Sequence, residues 1–389
     1  MTQLSRDNRL LTLALVLWGA GEGLFLYIQT LYLQELGAKP EEIGGALALA
    51  ELAASLSHIP AGYLSDRLGR KQILMAGWAV GVIAVWLMYL APSLWVFVLA
   101  LMLYRFTGFV LAPINAYVSE ARGAQSVQRA ITLVSASFWA GTLFSPAVGG
   151  WVGATYGLRT VYGIAGIFFV VSTAALVFLR PQPLTPPTHG EARYTALFRN
   201  RRFAGFLLLM FVVMLAIQIG LPFGPNFVED AREQDVQVVG LLGSVTSMGI
   251  VLVNVVFGQR LPRRGFMLAQ VLLAVSLLVL LSTTSLPALT VVFGLRAGWS
   301  LARNMGNAQV RRVVTTAESG LAFGVFETVY SATIILGSLI AGQLYARSFA
   351  LPFQVSLICI LLTLPLVWRF APRRDEQSEE APAVMASES

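Results

Sequence analysis

Six ionisable residues lie deep inside long apolar segments of this chain, where a charge is costly. The acids are Glu22, Glu51 and Glu327, and the bases are Arg105, Arg296 and Arg303. Ionisable residues within membrane segments are rare, and they line cavities or pair with one another. A buried carboxylate can bind and release a proton, and a neighbouring arginine changes how readily it does so. Three acids and three bases also permit a neutral set of ion pairs that fixes helix register.

The composition requires a lipid environment around these residues. Of 389 residues, 56% are hydrophobic and 12% are charged, with a mean hydropathy of +0.71. Soluble domains are nearer one-quarter charged, so an ordinary cytosolic enzyme and a disordered protein are both excluded. The single cysteine excludes a disulfide framework, and two histidines leave little for metal chemistry. We expect no metal and no cofactor.

The apolar segments are long enough to be membrane-spanning helices, because about 20 residues cross the hydrocarbon core. They predict an all-α membrane protein with twelve transmembrane helices, since β-barrel strands would be short and alternating. The predicted spans are 10–34, 42–64, 71–91, 94–117, 130–155, 158–179, 203–227, 238–260, 266–284, 287–309, 318–344 and 349–370.

The loops between these spans carry an asymmetric charge. With the N-terminus placed inside, 20 of the 27 lysines and arginines fall on one side and 4 on the other. Positive charge marks cytoplasmic loops, so both termini are predicted to be cytoplasmic in a multi-pass protein of the cell (inner) membrane. The same bias explains the basic net charge without nucleic acid as a partner.

The chain divides into two similar halves. Residues 1–179 form a predicted N-terminal six-helix bundle, 180–202 a proline-rich cytoplasmic linker, 203–371 a second six-helix bundle, and 372–389 a disordered cytoplasmic tail. A shift of 196 residues places Gly44 on Gly240 and Glu51 on Ser247. Repeated halves are typical of transporters, with the binding site between them near midplane.

The most specific motif follows the second span and consists of Gly62, Asp66, Arg67, Gly69, Arg70 and Lys71. It resembles the G-x-x-x-D-R-x-G-R-K signature of the major facilitator superfamily, in the expected place between the second and third helices. The resemblance covers the chain through Arg369. It implies the major facilitator fold and a gating contact in which Asp66 joins the two halves when the site faces outward. Gly69 can supply the positive φ that a tight turn needs.

A second motif lies in the fifth span and includes Gly141, Pro146, Gly149 and Gly150. It resembles the G-x-x-x-G-P-x-x-G-G pattern of the twelve-helix drug/proton antiporter branches, although Ser145 replaces the glycine before the proline. The alternative interpretation is a kinked helix with small packing residues.

The resemblance also implies which spans line the cavity, namely the first, fourth, seventh and tenth. The candidate proton-coupling residues are Glu22, Glu51 and Glu327. The candidate substrate-cavity residues are Arg105, Asn115, Gln218, Asn226, Arg296, Trp299 and Arg303. Each charged candidate has the alternative role of a purely structural ion pair.

Together these features predict a secondary active transporter rather than an enzyme. We expect proton-coupled efflux of a drug or metabolite by a monomer, with protons and a small-molecule substrate as partners. One alternative is proton-coupled uptake of a small organic anion attracted by the arginines. An alternative of another class is a membrane sensor or scaffold that transports nothing. No G-x-x-x-x-G-K-[ST] loop is present to bind ATP.

Overall fold

A computed structural model describes residues 4–123, 126–182, 200–257, 262–310, 313–314 and 319–370, with the side chains of 58–67, 128, 257, 262–264, 319–320 and 370 outside this description. Most of the predicted linker and all of the predicted tail therefore lie outside the described residues. The described chain is almost wholly helical, which confirms the all-α prediction.

The first half contains nine α-helices and a short 3₁₀ segment at Thr107–Val110. The helices are α1 (Arg6–Leu26), α2 (Gln29–Glu35), α3 (Pro40–Leu68), α4 (Arg70–Leu90), α5 (Leu94–Phe106), α6 (Leu111–Glu120), α7 (Val127–Gly141), α8 (Ser145–Tyr156) and α9 (Leu158–Val177).

The second half repeats this pattern. Its described helices are α10 (Arg201–Ile219), α11 (Gly224–Asp230), α12 (Val236–Phe257), α13 (Pro262–Ser282), α14 (Leu286–Arg296), α15 (Gly298–Val310), α16 (Ser319–Arg347) and α17 (Leu351–Phe370).

These helices correspond to the twelve predicted spans, five of which are interrupted. The first (α1–α2), fourth (α5–α6), fifth (α7–α8), seventh (α10–α11) and tenth (α14–α15) spans each consist of two pieces. In the described chain, ten helices are long and apolar enough to cross a membrane by composition. The second and tenth spans fall outside that set, and both carry ionisable residues within their apolar stretches.

Proline accounts for several of the interruptions, because it lacks a backbone N–H and its ring clashes with the carbonyl four residues earlier. Pro146 stands at the start of α8, and Pro225 stands at the start of α11. The break before α11 leaves the Gly220 carbonyl without a helical partner and the Leu221 carbonyl with only a 3.4 Å bond from the Gly224 N–H. Those carbonyls then become available to a side chain from another helix.

Glycines allow the two halves to touch backbone to backbone. A Cβ on Gly44 of α3 would lie 3.1 Å from the Cα of Gly342 of α16. A Cβ on Gly240 of α12 would lie 2.6 Å from the Cα of Gly150 of α8. Gly44 and Gly240 are the pair that the 196-residue shift superimposes. The sequence repeat therefore corresponds to a pair of equivalent close contacts between the halves.

Hydrogen bonds also join the halves at the distal end, which we define as the end of the bundle opposite the chain termini. Gln34 Nε2 donates to Asp230 Oδ1 at 3.0 Å, and Asn226 Nδ2 donates to Gln34 Oε1 at 2.6 Å. Nearer mid-depth, the backbone N–H of Ala147 donates to Ser244 Oγ at 3.0 Å. The distal end is therefore closed by packing and by polar contacts.

Candidate substrate and coupling site

An ion pair at mid-depth connects the second and fourth spans. Arg105 Nη2 lies 2.6 Å from Glu51 Oε2, and the side chain of Arg105 is 41% exposed while that of Glu51 is 8% exposed. The other oxygen of Glu51 accepts a hydrogen bond from Ser331 Oγ at 2.8 Å. Glu51 is thus bound at once by its own half and by the eleventh span of the other half.

A second ion pair lies in the C-terminal half between the tenth and eleventh spans. Arg303 Nη2 lies 2.8 Å from Glu327 Oε2, and both side chains are 38% exposed. Asn307 Nδ2 donates to Glu327 Oε1 at 3.0 Å, and the Arg303 guanidinium sits 4.7 Å from the centre of the Tyr330 ring. Charged groups left exposed this deep in a membrane protein border water rather than lipid. The exposed charges lie away from the hydrogen-bonded distal end, which indicates an opening between the halves on the side of the termini.

Glu22 has a different environment, because it has no cation of its own. It lies on α1 near the Tyr104 side chain and near Arg105. The carboxylate that pairs with Arg105 is that of Glu51. Two acids therefore share one arginine on the N-terminal side of the opening.

Arg296 departs from the expected set of three neutral pairs. It is 5% exposed, and among the described residues no carboxylate contacts it. Its Nη2 donates to the carbonyls of Gly220 and Leu221, at 3.2 and 2.8 Å. Arg296 thus caps the broken end of α10, and it lies 5.3 Å from the Phe293 ring centre. Its position favours a structural role over contact with a substrate.

The remaining cavity candidates are spread through the bundle. Gln218 is buried and donates to the hydroxyl of Tyr330 at 3.2 Å, which places it beside the second ion pair. Asn226 is fully buried in the contact between the halves at the distal end, away from both ion pairs. Trp299 is partly buried against the apolar core, and Asn115 is exposed on α6.

The motif after the second span is only partly described. Gly62, Asp66 and Arg67 lie in the stretch whose side chains are outside the description, so the gating role of Asp66 stays a prediction. The backbone is helical through Leu68, so most of the motif is helix and not the expected loop. Gly69 forms the turn with φ 93°, as its freedom from a side chain predicts.

The described basic residues of this motif bind carbonyls within their own half. Arg70 Nη1 donates to the carbonyl of Ala116 at 3.2 Å and to Gln182 Oε1 at 3.0 Å. Lys71 Nζ donates to the carbonyl of Val177 at 3.0 Å. These contacts join the third span to the ends of the fourth and sixth spans, where cations also complement the helix dipole.

The fifth-span motif forms two packing surfaces. A Cβ on Gly141 or Gly149 would overlap a backbone oxygen of α1, whereas Gly150 meets Gly240 of the other half. Ser145 takes the place of a glycine because its hydroxyl turns back onto the Gly141 carbonyl at 3.0 Å. The motif therefore holds the first span, which carries Glu22, against the fifth.

Sequence reasoning missed several groups around the site. Tyr104 beside Glu22 and the contact of Ser331 with Glu51 depend on how different helices are rotated, which the sequence of one helix does not reveal. Ser331 lies on the same helical face as Glu327, which is four residues earlier. That spacing was the sequence feature that could have placed Ser331 at the site. Asn304 and its partner Asn254 carried no local signal.

This architecture, with two six-span halves around a charged central opening, defines the class of membrane transporters with repeated halves. Residues 11–259 and 207–386 match the model of the Major Facilitator Superfamily. The chain belongs to that family of transporters, and the motif resemblance is thereby confirmed.

Relatives include efflux pumps. The chain is 26% identical over 263 residues to the multi-drug resistance efflux pump PmrA of Streptococcus pneumoniae serotype 4, covering 64% of this chain and 65% of the pump. It is 25% identical over 289 residues to the multidrug resistance protein MdtG of Enterobacter lignolyticus, covering 70% and 69%. The matched region thus spans just under two thirds of PmrA.

Solved structures share the fold at lower identity. The crystal structure of the nucleoside transporter NupG matches with a TM-score of 0.79 at 16% identity, covering 94% of this chain and 98% of NupG. At this identity, the likeness establishes the fold alone.

Proposed function

We propose that this chain is a proton-coupled exporter that exchanges a cationic or neutral amphiphilic small molecule for protons. The observation that carries the proposal is the charge balance at mid-depth. Glu22 and Glu51 share Arg105, while Glu327 is matched by Arg303. With Glu22 ionised, the N-terminal side of the opening holds one more negative charge than positive.

A site with one surplus negative charge can bind either a proton or a substrate cation. Binding both at once gives little additional electrostatic stabilisation. Protonating Glu22 removes the attraction for a cation, and a bound cation favours the ionised carboxylate. Binding of the two is then mutually exclusive. Such exclusion, combined with alternating exposure of the site, is sufficient for antiport.

The relatives support export as the direction. Efflux is part of the name of the pneumococcal relative, and multidrug resistance is part of the name of the enterobacterial one. The glycine contacts of the fifth span are consistent with the exporter-type motif that the sequence resembles. These similarities cover only part of each relative, so direction and substrate class are proposals for this chain.

The alternative of organic-anion uptake receives less support from the geometry. An anion needs an accessible arginine whose charge is unmatched, yet Arg105 and Arg303 are paired with carboxylates. Arg296 keeps one Nη1 without a partner among the described residues, but it is only 5% exposed. An anion would have to displace a carboxylate that is already in place. A flux measurement distinguishes a sensor or scaffold, which transports nothing, from an exporter and from an anion uptake system.

We further propose a cell (inner) membrane location with both termini in the cytoplasm and a monomeric working unit. The bias of basic residues supports this orientation. In it, the closed distal end faces outward and the charged opening faces the cytoplasm. Asp66, placed by the motif near the cytoplasmic end, is proposed to stabilise the opposite, outward-open state.

The test is flux in proteoliposomes that carry the purified transporter. Ethidium serves as the probe because it is a fluorescent organic cation. We expect ethidium to accumulate in the acidic compartment when a pH gradient is imposed, because protons leave that compartment in exchange. A protonophore should abolish the accumulation. Gradient-driven movement of an anion such as benzoate, with none of ethidium, would support the uptake alternative. No flux of either would support the sensor.

A further inference from the structure

The wall between the eighth and tenth spans contains three asparagines, two of which are hydrogen-bonded to each other while the third binds Glu327. Asn254 lies on α12, and Asn304 and Asn307 lie three residues apart on one face of α15. We call Asn254, Asn304 and Asn307 the carboxamide surface. It adjoins Arg303 and Glu327, so it borders the same opening.

The direction of each amide in this surface follows from its fixed partners. Asn254 Nδ2 donates to the backbone carbonyl of Ile250 at 2.8 Å, which can only accept. The Oδ1 of Asn254 therefore faces Asn304, whose Nδ2 donates to it at 2.7 Å. Asn304 must then present its own Oδ1 on the other side.

Asn307 is oriented by the same logic. Its Nδ2 donates to the carboxylate of Glu327, which accepts only, at 3.0 Å. Its Oδ1 is buried and has no hydrogen-bond partner among the described residues. A buried carbonyl oxygen without a donor costs free energy, so a group that supplied an N–H or O–H would stabilise this wall.

Each amide of the carboxamide surface thus donates an N–H to a fixed partner, while the amide oxygens of Asn304 and Asn307 accept no hydrogen bond among the described residues. Asn304 is exposed, so its oxygen is accessible from the opening. A surface with oriented carbonyl oxygens favours a ligand group that is positive and carries hydrogen.

We propose that the carboxamide surface is a substrate subsite that recognises an N–H donor, and that it makes the transporter prefer protonated amines to quaternary ammonium compounds. This inference rests on the proposed export of cations and names the feature that discriminates among them. Glu22 attracts any cation through its charge, whereas Asn304 requires a hydrogen on the nitrogen. The N-terminal half therefore recognises the charge of the ligand, and the C-terminal half recognises its N–H group.

The test compares two ligands that differ by one methyl group. Diphenhydramine is a tertiary amine that is protonated at neutral pH, and its N-methyl derivative is quaternary and lacks the N–H. Equilibrium affinities are measured on the purified full-length transporter in nanodiscs, without a gradient. We expect the tertiary amine to bind about tenfold more tightly, as one hydrogen bond to a charged donor predicts.

Two substitutions separate recognition from structure. Asn304→Leu and Asn304→Asp both lose the amide N–H that holds Asn254, but only Asn304→Asp keeps an acceptor oxygen. We expect Asn304→Leu to weaken diphenhydramine binding about tenfold and leave the quaternary ligand within about twofold, which removes the preference. Asn304→Asp should keep the preference for the tertiary amine.

The outcomes are distinguishable. Equal affinities of the parent for both ligands, or a preference that survives Asn304→Leu, would overturn the subsite while leaving cation export in place. If neither ligand binds to the parent, the proposed substrate class is wrong, and this inference is wrong with it. The comparison in the parent needs no variant, so a misfolded variant does not block the test.

Discussion

Ser331 of the eleventh span donates a 2.8 Å hydrogen bond to Glu51 of the second span, and the same carboxylate lies 2.6 Å from Arg105. One carboxylate therefore joins a contact between the halves to the charged site near Glu22. When the halves separate at the distal end, this hydrogen bond has to break. Rocking of the halves is thereby linked to the surroundings of Arg105.

Ser331→Ala tests this contact without touching the ion pair. A hydrogen bond to a charged group contributes about 1.5–3 kcal/mol, so its loss should shift the equilibrium toward the outward-open state at least about tenfold. The reporter is a cysteine at Thr30, which is buried in the distal contact, in a Cys359→Ser background. We expect faster labelling by an impermeant maleimide from outside.

A matched control uses the ion pair itself. Glu51→Gln can still accept from Ser331, but it leaves Arg105 with only Glu22 nearby. We expect this variant to alter the pH dependence of ethidium binding, whereas Ser331→Ala should leave it unchanged. Unchanged labelling in Ser331→Ala would mean that the hydrogen bond contributes nothing to closure of the distal end.

Gly44 and its neighbour Gly45 offer a second test of distal closure. A Cβ on Gly44 would be 3.1 Å from Gly342 and would overlap the backbone carbonyl of Ser338, whereas a Cβ on Gly45 meets nothing within 4 Å. Both changes to alanine raise helix propensity by about 1 kcal/mol, so that effect cancels. We expect Gly44→Ala to hold the distal end open and slow transport, and Gly45→Ala to resemble the parent.

The measurement is again labelling of the Thr30 cysteine, together with ethidium flux. Equal labelling of the two alanine variants would show that the close approach at Gly44 is not needed for closure.

Arg296 is expected to contribute more to the stability of the fold than to substrate affinity. Arg296→Met removes the side-chain donor from both carbonyls, and the Gly220 carbonyl then lacks a donor while Leu221 keeps the Gly224 N–H at 3.4 Å. A buried unsatisfied group costs about 1–3 kcal/mol. The melting temperature should fall by several degrees, while ethidium affinity should stay within about twofold. Arg296→Lys, which keeps a donor, should recover part of the stability. A selective loss of affinity for an anion such as benzoate would instead favour the uptake alternative.

Much of the fold was predictable because long apolar runs and basic loops are direct physical requirements of a bilayer. The twelve spans and the family motif follow from local sequence. The interruptions were less accessible, although Pro146 and Pro225 each mark one. Asn226 was a cavity candidate because it lies on the seventh span, but it packs between the halves near the distal end.

The pairing of charges was the part that sequence could not supply. Depth along a helix can be counted, and it places Glu22, Glu51, Arg105, Arg296 and Glu327 near mid-depth. Which acid contacts Arg105 depends on helix rotation and on distances between helices, and it is Glu51 at 2.6 Å. Three acids and three bases permitted three neutral pairs, yet the break in the seventh span gives Arg296 backbone carbonyls instead.

Glu22 is the residue on which proton coupling is predicted to depend. It lies on the first span beside Tyr104, and the cation that it approaches is already bound by Glu51. Glu22→Gln is nearly isosteric and always neutral, so the cavity keeps its shape and its amide can still reach Tyr104. The variant should lose gradient-driven accumulation of ethidium. Because the surplus negative charge is gone, binding should weaken and should no longer change as the pH is lowered.

The control is Glu22→Asp, which keeps a carboxylate and should retain gradient-driven transport at a reduced rate. Downhill exchange of ethidium in Glu22→Gln separates coupling from a general defect, since an uncoupled transporter still moves substrate along its own gradient. The sign of the pH effect is also fixed: in the parent, lowering the pH protonates Glu22 and should weaken ethidium binding. If Glu22→Gln accumulates ethidium against a gradient at the parental rate, the coupling proton is carried elsewhere. Glu51 is then the next candidate, because it is the other acid that shares Arg105.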